Sequence, residues 1–306
     1  MRRLIFGLRP ADALTILFLL FLSVLTIIFY RNIPEAPFFM GMYVSLLVSQ
    51  VIVIRLQNRD RFFRILYDII FPVACVLFIF DSLGGIVHYV NPKDVDFFLI
   101  SLDYHIFNAH PTVLLERITS PMLTDILQLA YTSYYFIPLI FAITLLRDNQ
   151  RGEFDKTLFL ILLCFYLSYI GYILMPAIGP RFTIDHLQTV ELRGFFVAEP
   201  IQRLLNQIEG IKRDAFPSGH TAIPLVVLYL AYRFKRGLFW LFLPIVSALI
   251  FSTVYCRYHY VVDVIGGVGL AVVTILFGQI IYDWWIKEQQ RFKITEKVTS
   301  CNLRRL

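Results

Sequence analysis

The chain has 306 residues, 58% of them hydrophobic and only 16% charged. A soluble domain carries about 25% charged residues, so this sequence lacks the polar surface to dissolve as a water-borne enzyme or binding module. Its formal net charge is +6, and the placement of that charge, described below, needs no nucleic acid as a partner. No stretch shows the period-two alternation of a membrane β-barrel. Long apolar runs point instead to helices, which satisfy their own backbone inside lipid. The expected fold class is all-α, a polytopic transmembrane helical bundle.

A hydrocarbon core takes about 20 apolar residues per helix. Runs of that kind cover Ala13–Tyr30, Phe38–Ile54, Leu66–Val90, Met122–Leu146, Thr157–Met175, Thr221–Tyr232, Leu238–Tyr255 and Tyr260–Trp285. The sixth is short and is expected to begin earlier, within the loop before it. The first follows Met1-Arg2-Arg3 like a signal peptide, but Tyr30-Arg31-Asn32 offers no small-residue cleavage site, so it reads as a retained helix. Eight crossings put both termini on one side, and nineteen of the 28 basic residues fall on that side. The positive-inside rule makes it the cytoplasm, with a plasma (inner) membrane as the expected location. The chain divides into N-terminal helices with an outer segment (1–120), a helical bundle (121–286) and a basic cytoplasmic tail (287–306), suited to an anionic leaflet.

Cys75, Cys164, Cys256 and Cys301 fall in or beside apolar runs without CxxC or metal spacing, and they read as small core residues. Of the outward basic residues, Arg181, Arg193, Arg203, Lys212 and Arg213 share the loop Ile178–His220, and Arg257 lies between the last two runs. Cations on the side that disfavours them point to an anionic ligand. Arg193 and Arg203 read equally well as solvated loop charges.

Three short motifs carry the chemistry. Phe216-Pro217-Ser218-Gly219-His220-Thr221 precedes an apolar helix. Ser218 or Thr221 can cap that helix, its first N–H groups form an anion site, Gly219 permits close backbone approach, and His220 can give up a proton. Taken alone, the motif is also a capped loop. Arg257-Tyr258-His259-Tyr260-Val261-Val262-Asp263 places His259 and Asp263 four apart, so on a helix they share a face. An aspartate on one ring nitrogen leaves the other basic and aimed. Arg257 reaches that face only if the helix begins nearby. An intramembrane His–Asp pair can merely satisfy itself, although charges at that depth are costly and usually functional. Pro176-Ala177-Ile178-Gly179-Pro180-Arg181-Phe182 ends the fifth run and presents Arg181. By the arginine count, all three motifs lie at outer helix ends.

Phe216–Thr221 and His259–Asp263 resemble the second and third signatures of the type 2 phosphatidic acid phosphatase and haloperoxidase superfamily. Arg257–Asp263 and Gly179-Pro180-Arg181 are similar to its branch of inositol phosphorylceramide synthases. The resemblance covers about Met122–Trp285. It implies that His259 is a nucleophile forming a phosphohistidine, Asp263 orients it, and His220 protonates the leaving alcohol. Ser218, the Gly219 amide, Arg181 and Arg257 would hold phosphoryl oxygens, with no metal or organic cofactor. Leu174 stands where the first signature has Lys, and Thr253 where the third has Arg. Arg257, four residues after Thr253, would supply that charge from one helical turn along.

The expected function is therefore a membrane lipid phosphatase or phosphotransferase acting on a lipid phosphate ester at the outer face. The acceptor is water, a lipid hydroxyl as in inositol phosphorylceramide synthesis, or a polyol. The rival from another class is a non-catalytic carrier of lipid phosphates. In the outer segment Val95–Pro121, Asp103, His105, His110 and Glu116 suggest an interfacial helix over the site or at an acceptor; a metal cluster there is the lesser reading. Asp81, inside the third run, reads as a functional or a hydrogen-bonded structural residue.

Overall fold

The structure, a computed structural model, describes residues 7–209 and 213–303, with side chains within 7–205 and 213–292. Arg2, Arg3, Lys212, Arg304 and Arg305 lie outside the described residues, as do the side chains of Cys301 and of the tail beyond Phe292. Every regular element among the described residues is helical. The main helices are α1 (Pro10–Ile28), α2 (Ala36–Leu56), α3 (Arg61–Gly84) and α4 (Asp96–Phe107), followed by α5 (Pro121–Thr132), α6 (Ile137–Arg147), α7 (Arg151–Leu174) and α8 (Ala198–Glu209). The chain closes with α9 (Gly219–Phe234), α10 (Arg236–Tyr255) and α11 (Val261–Leu303).

Six of these, namely α1, α2, α3, α7, α10 and α11, are long and apolar enough to cross a membrane. The bent pair Pro121–Tyr135 and Ile137–Arg147 is either a broken seventh span or a re-entrant loop. The eighth expected span, α9, has 16 residues, about 24 Å of helix against a hydrocarbon core of about 30 Å. It begins earlier than its apolar run, at the buried Ser218 and Gly219. The run Met122–Leu146 is two helices meeting at 49° rather than one. Pro138 is the cause: it lacks an N–H and crowds the carbonyl one turn back, so the chain breaks at Ser133–Phe136. The third run also stops short of Val90, because α3 ends at Gly84.

The central helix is α7, which packs against α1, α3, α6, α9 and α11. Its core includes Phe154, Leu160, Cys164 and Tyr166, all at most 2% exposed. Leu17, Phe78 and Ile280 on the outside are more than half exposed, as lipid-facing residues are. Helix association in lipid depends on packing and interhelical hydrogen bonds rather than on hydrophobic transfer. Thr15 Oγ1 to Tyr166 Oη at 3.0 Å and Tyr43 Oη to Ser82 Oγ at 2.9 Å are bonds of that kind.

The two ends of α7 carry different chemistry. Around its N-terminus, Arg9 lies 3.1 Å from Asp12, 3.2 Å from Asp68 and 3.7 Å from Asp155, while Arg151 pairs with both Asp68 and Asp155. Tyr67 adds its hydroxyl to Asp12. This buried network ties α1 and α3 to α7. Its C-terminus, 24 residues on and so about 36 Å away, opens on the turn Pro176–Arg181 and the histidines.

Candidate active site

Four chain segments meet at that end: the turn after α7, the loop entering α9, the exit of α10 and the start of α11. Asp96 of α4 accepts the amides of Ile178 and Gly179 at 2.9 and 2.8 Å and the Tyr260 hydroxyl at 2.9 Å. Gly179 has φ of +99°, and a Cβ there would stand 2.7 Å from the Tyr258 carbonyl oxygen. Only glycine fits a left-handed backbone at such a close approach. Gly267 of α11 meets the site loop in the same way, since a Cβ would lie 2.5 Å from the Ser218 carbonyl oxygen.

His259 is 4% exposed, and its Nδ1 lies 2.8 Å from the Ala215 carbonyl oxygen. A carbonyl only accepts, so Nδ1 carries the proton and Nε2 holds the free lone pair. That Nε2 is 3.4 Å from His220 Nδ1. His220 Nε2 is buried without a hydrogen-bond partner among the described residues, a condition that polar atoms rarely keep. The His220 ring stacks on Tyr131 at 4.5 Å and leans on Tyr134 at 4.1 Å. Tyr131 in turn stacks on Tyr258 at 4.2 Å, and the Arg181 guanidinium sits 5.6 Å above the Tyr258 ring. An aromatic column thus links Arg181 to His220.

Ser218 is the cap residue of α9, but its hydroxyl does not bond the first amides; it accepts from Thr221 Oγ1 at 3.2 Å. Its own amide donates to the Asp263 carbonyl at 3.0 Å. The Gly219 amide is directed at the Tyr172 hydroxyl. Ser218, Gly219, His220, His259 and Asp263 therefore share one buried cluster, with Arg181 beside it.

The helix-face argument for His259 and Asp263 needs correction. α11 begins only at Val261, so His259 precedes the helix. Asp263 Oδ2 accepts the Tyr260 amide at 2.8 Å, closing the first turn from its third position, and stands 3.5 Å from His259 Nδ1. Ala215 makes the shorter contact with the ring. Arg257 departs further from expectation. α10 ends at Tyr255, and Arg257 has φ of +64°, so it does not continue the helical face of Thr253. Its guanidinium binds Glu116 at 2.7 Å and the Val190 carbonyl. Burial pulls its pKa below the ordinary arginine value, against the attraction of Glu116.

The outer-segment residues are spent separately. Asp103 is 2% exposed and accepts the amides of Val261 and Val262 at 3.0 and 2.9 Å, which caps α11 from α4. Burial raises its carboxyl above the usual range, opposed by those two amides. His105 bonds the Ser101 carbonyl, and His110 packs on Tyr104. Among the described residues, no group of three or more His, Cys, Asp or Glu is arranged to hold a metal. Asp81 is exposed on α3, three residues before its end. Arg193 and Arg213 pair with Glu191 and Asp94, and Arg203 is exposed.

Sequence reasoning missed Asp96, Ala215 and the tyrosines 131, 134 and 172. Tyr131 lies at the end of α5, Tyr134 in the turn just after it and Tyr172 on α7, and in sequence they are indistinguishable from lipid-facing aromatics. Ala215 acts through its carbonyl, which leaves no sequence signal.

Comparison with known proteins identifies the family. The sequence profile of the PAP2 superfamily matches residues 98–277, which include every motif described above. A PA-phosphatase related-family protein of Dictyostelium discoideum is 26% identical over 178 residues, covering 51% of this chain and 32% of that relative. The matched part thus spans about a third of the relative's length. No solved structure matches. With more than half its length inside the family profile, the chain belongs to the PAP2 superfamily.

Proposed function

We propose that this protein is a lipid phosphatase or phosphotransferase that works at the outer membrane face through a phosphohistidine. The observation carrying this reading is the histidine pair: His259 Nε2, with Nδ1 held by Ala215, faces His220 Nδ1 at 3.4 Å. His259 Nε2 attacks phosphorus, forming an N–P bond as the P–O bond to the lipid alcohol breaks. His220, protonated once the anionic ester is bound beside it, gives its proton to the leaving oxygen. Asp263, 3.5 Å from His259 Nδ1, offsets the positive charge that the ring gains. Water or a hydroxyl-bearing acceptor then attacks the phosphohistidine, and His220 takes back a proton. Ser218 and Arg181 are suited to the phosphoryl oxygens, the Gly219 amide would join them on leaving the Tyr172 hydroxyl, and charge stabilisation of that kind is usually the largest catalytic contribution. Arg257 would join them only by leaving Glu116. The outer-face assignment is supported by the positive-inside reading of eight crossings, which gives nineteen of the 28 basic residues to the cytoplasmic side.

The test is turnover of phosphatidic acid in nanodiscs, with and without a lipid alcohol. Inorganic phosphate as sole product indicates a phosphatase, and a new phospholipid indicates a transferase. His259→Ala should abolish both and, with labelled substrate, trap no phosphoenzyme. A folded His259→Ala protein with full turnover would falsify the mechanism, and binding without turnover by the parent protein would indicate a carrier.

A further inference from the structure

A cleft leaves the histidine pair and runs down the inside of the bundle. His220, Asp214, Tyr134 and Tyr172 form its mouth, and Asp68 lies at its far end. Three helices wall it in consistent order. From mouth to floor, α7 contributes Tyr172 to Leu158, α3 contributes Phe80 to Pro72, and α6 contributes Pro138 to Ala142. Apart from the two aspartates, His220 and tyrosines near the mouth, the lining is apolar. The space between these walls and out to the open side is about 1080 Å³. Val73 and Leu77 on that side are 44% and 52% exposed, so the cleft is open laterally where lipid would lie.

We infer that this cleft holds one hydrocarbon chain of the phosphate ester, measured between His220 and a closed floor. The inference rests on the proposed function for the position of the phosphorus, and it adds the chemistry of the other end. From Leu158 to Tyr172 the wall is about 21 Å long at 1.5 Å per residue. Carbon–carbon geometry advances about 1.25 Å per methylene, so an extended chain of about sixteen carbons fills it. The floor is rigid because Asp68, 2% exposed, is clamped by Arg9 and Arg151. A longer chain would have to enter that ion network or bend out past Val73 and Leu77. α3 lies outside the residues matched by the family profile, so this wall comes from the N-terminal part of the chain. Chains gain little by moving from bilayer to cleft, since both are apolar; selection must come from fit, and fit ends at the floor.

The experiment uses the full chain in nanodiscs with hexyl phosphate, hexadecyl phosphate and a hexadecyl phosphate bearing a diazirine at its chain end. Photolysis should label the lower cleft around Val73, Ala142 and Leu158. Ala142→Phe, which puts a ring across the lower half, should cut the hexadecyl-to-hexyl turnover ratio at least about tenfold, the rate equivalent of overpacking strain. Val73→Phe, from the opposite wall, should do the same if Ala142→Phe fails to fold. An unchanged ratio in a folded variant overturns the inference, as does label confined to outward residues such as Leu17, even if phosphate is released. Label in the lower cleft without phosphate release supports the inference and overturns the proposed function.

Discussion

Asp103 sits in α4, far in sequence from the histidines, yet it holds the helix from which His259 hangs. Its two oxygens accept the amides of Val261 and Val262, the first two of α11, which have no partner within the helix. Asp103→Ala removes both acceptors where the aspartate is 2% exposed. A buried amide left unsatisfied costs about 1–3 kcal/mol, so the pair predicts a loss of about 2–6 kcal/mol. Much of that loss falls on the first turn of α11, where Tyr260 and Asp263 position the His259 ring. Purified protein in detergent should therefore show a lowered unfolding midpoint. In protein that remains folded, kcat should fall more than KM. Asp103→Asn keeps one acceptor and should lose about half as much. A stability change within about 0.5 kcal/mol for Asp103→Ala, the range of uncoupled surface substitutions, would refute the capping argument.

Other substitutions test separate parts of the structure. His220→Ala should slow an alkyl phosphate by about 10²–10⁴-fold, but an aryl ester with an acidic leaving group much less, because little proton donation is then needed; equal losses on both would remove the acid role. Gly179→Ala should cost about 1–3 kcal/mol through its left-handed backbone and more through the clash at the Tyr258 carbonyl, read as loss of folded protein or of activity. Asp68→Ala leaves Asp155 as the one carboxylate that Arg9 and Arg151 share and should cost about 1.5–3 kcal/mol, seen as earlier unfolding with α1 and α3 more open to protease.

Sequence patterning reached the helical class and most spans because lipid imposes a length and polarity that single segments reveal. It erred where one residue overrides composition: Pro138 splits an otherwise continuous run, and the sequence Gly84-Gly85 stops α3 early. The histidines and the loop Phe216–Thr221 were legible because their residue types are costly in a membrane and have few structural uses. Arg257 misled for a definite reason. Its spacing from Thr253 implied a shared helix face, but the chain turns left-handed one residue after the cap of α10. Spacing arguments hold only inside a helix, and this site is built where helices end.

That placement also explains how the N-terminal helices relate to the site. The residues proposed to supply chemistry lie within 98–277, but two contacts that hold them together come from before that range. Asp96 fixes the Gly179 turn and the Tyr260 hydroxyl, and α3 walls the cleft below His220. α3 is in turn locked to α7 through Asp68 and Arg151, at the opposite end of the same central helix. A break in that lock would leave both histidines in place while one wall of the cleft moved away. Loss at the Arg9–Asp68–Arg151 network should therefore appear first as relaxed discrimination between substrates, and only later as loss of the reaction itself.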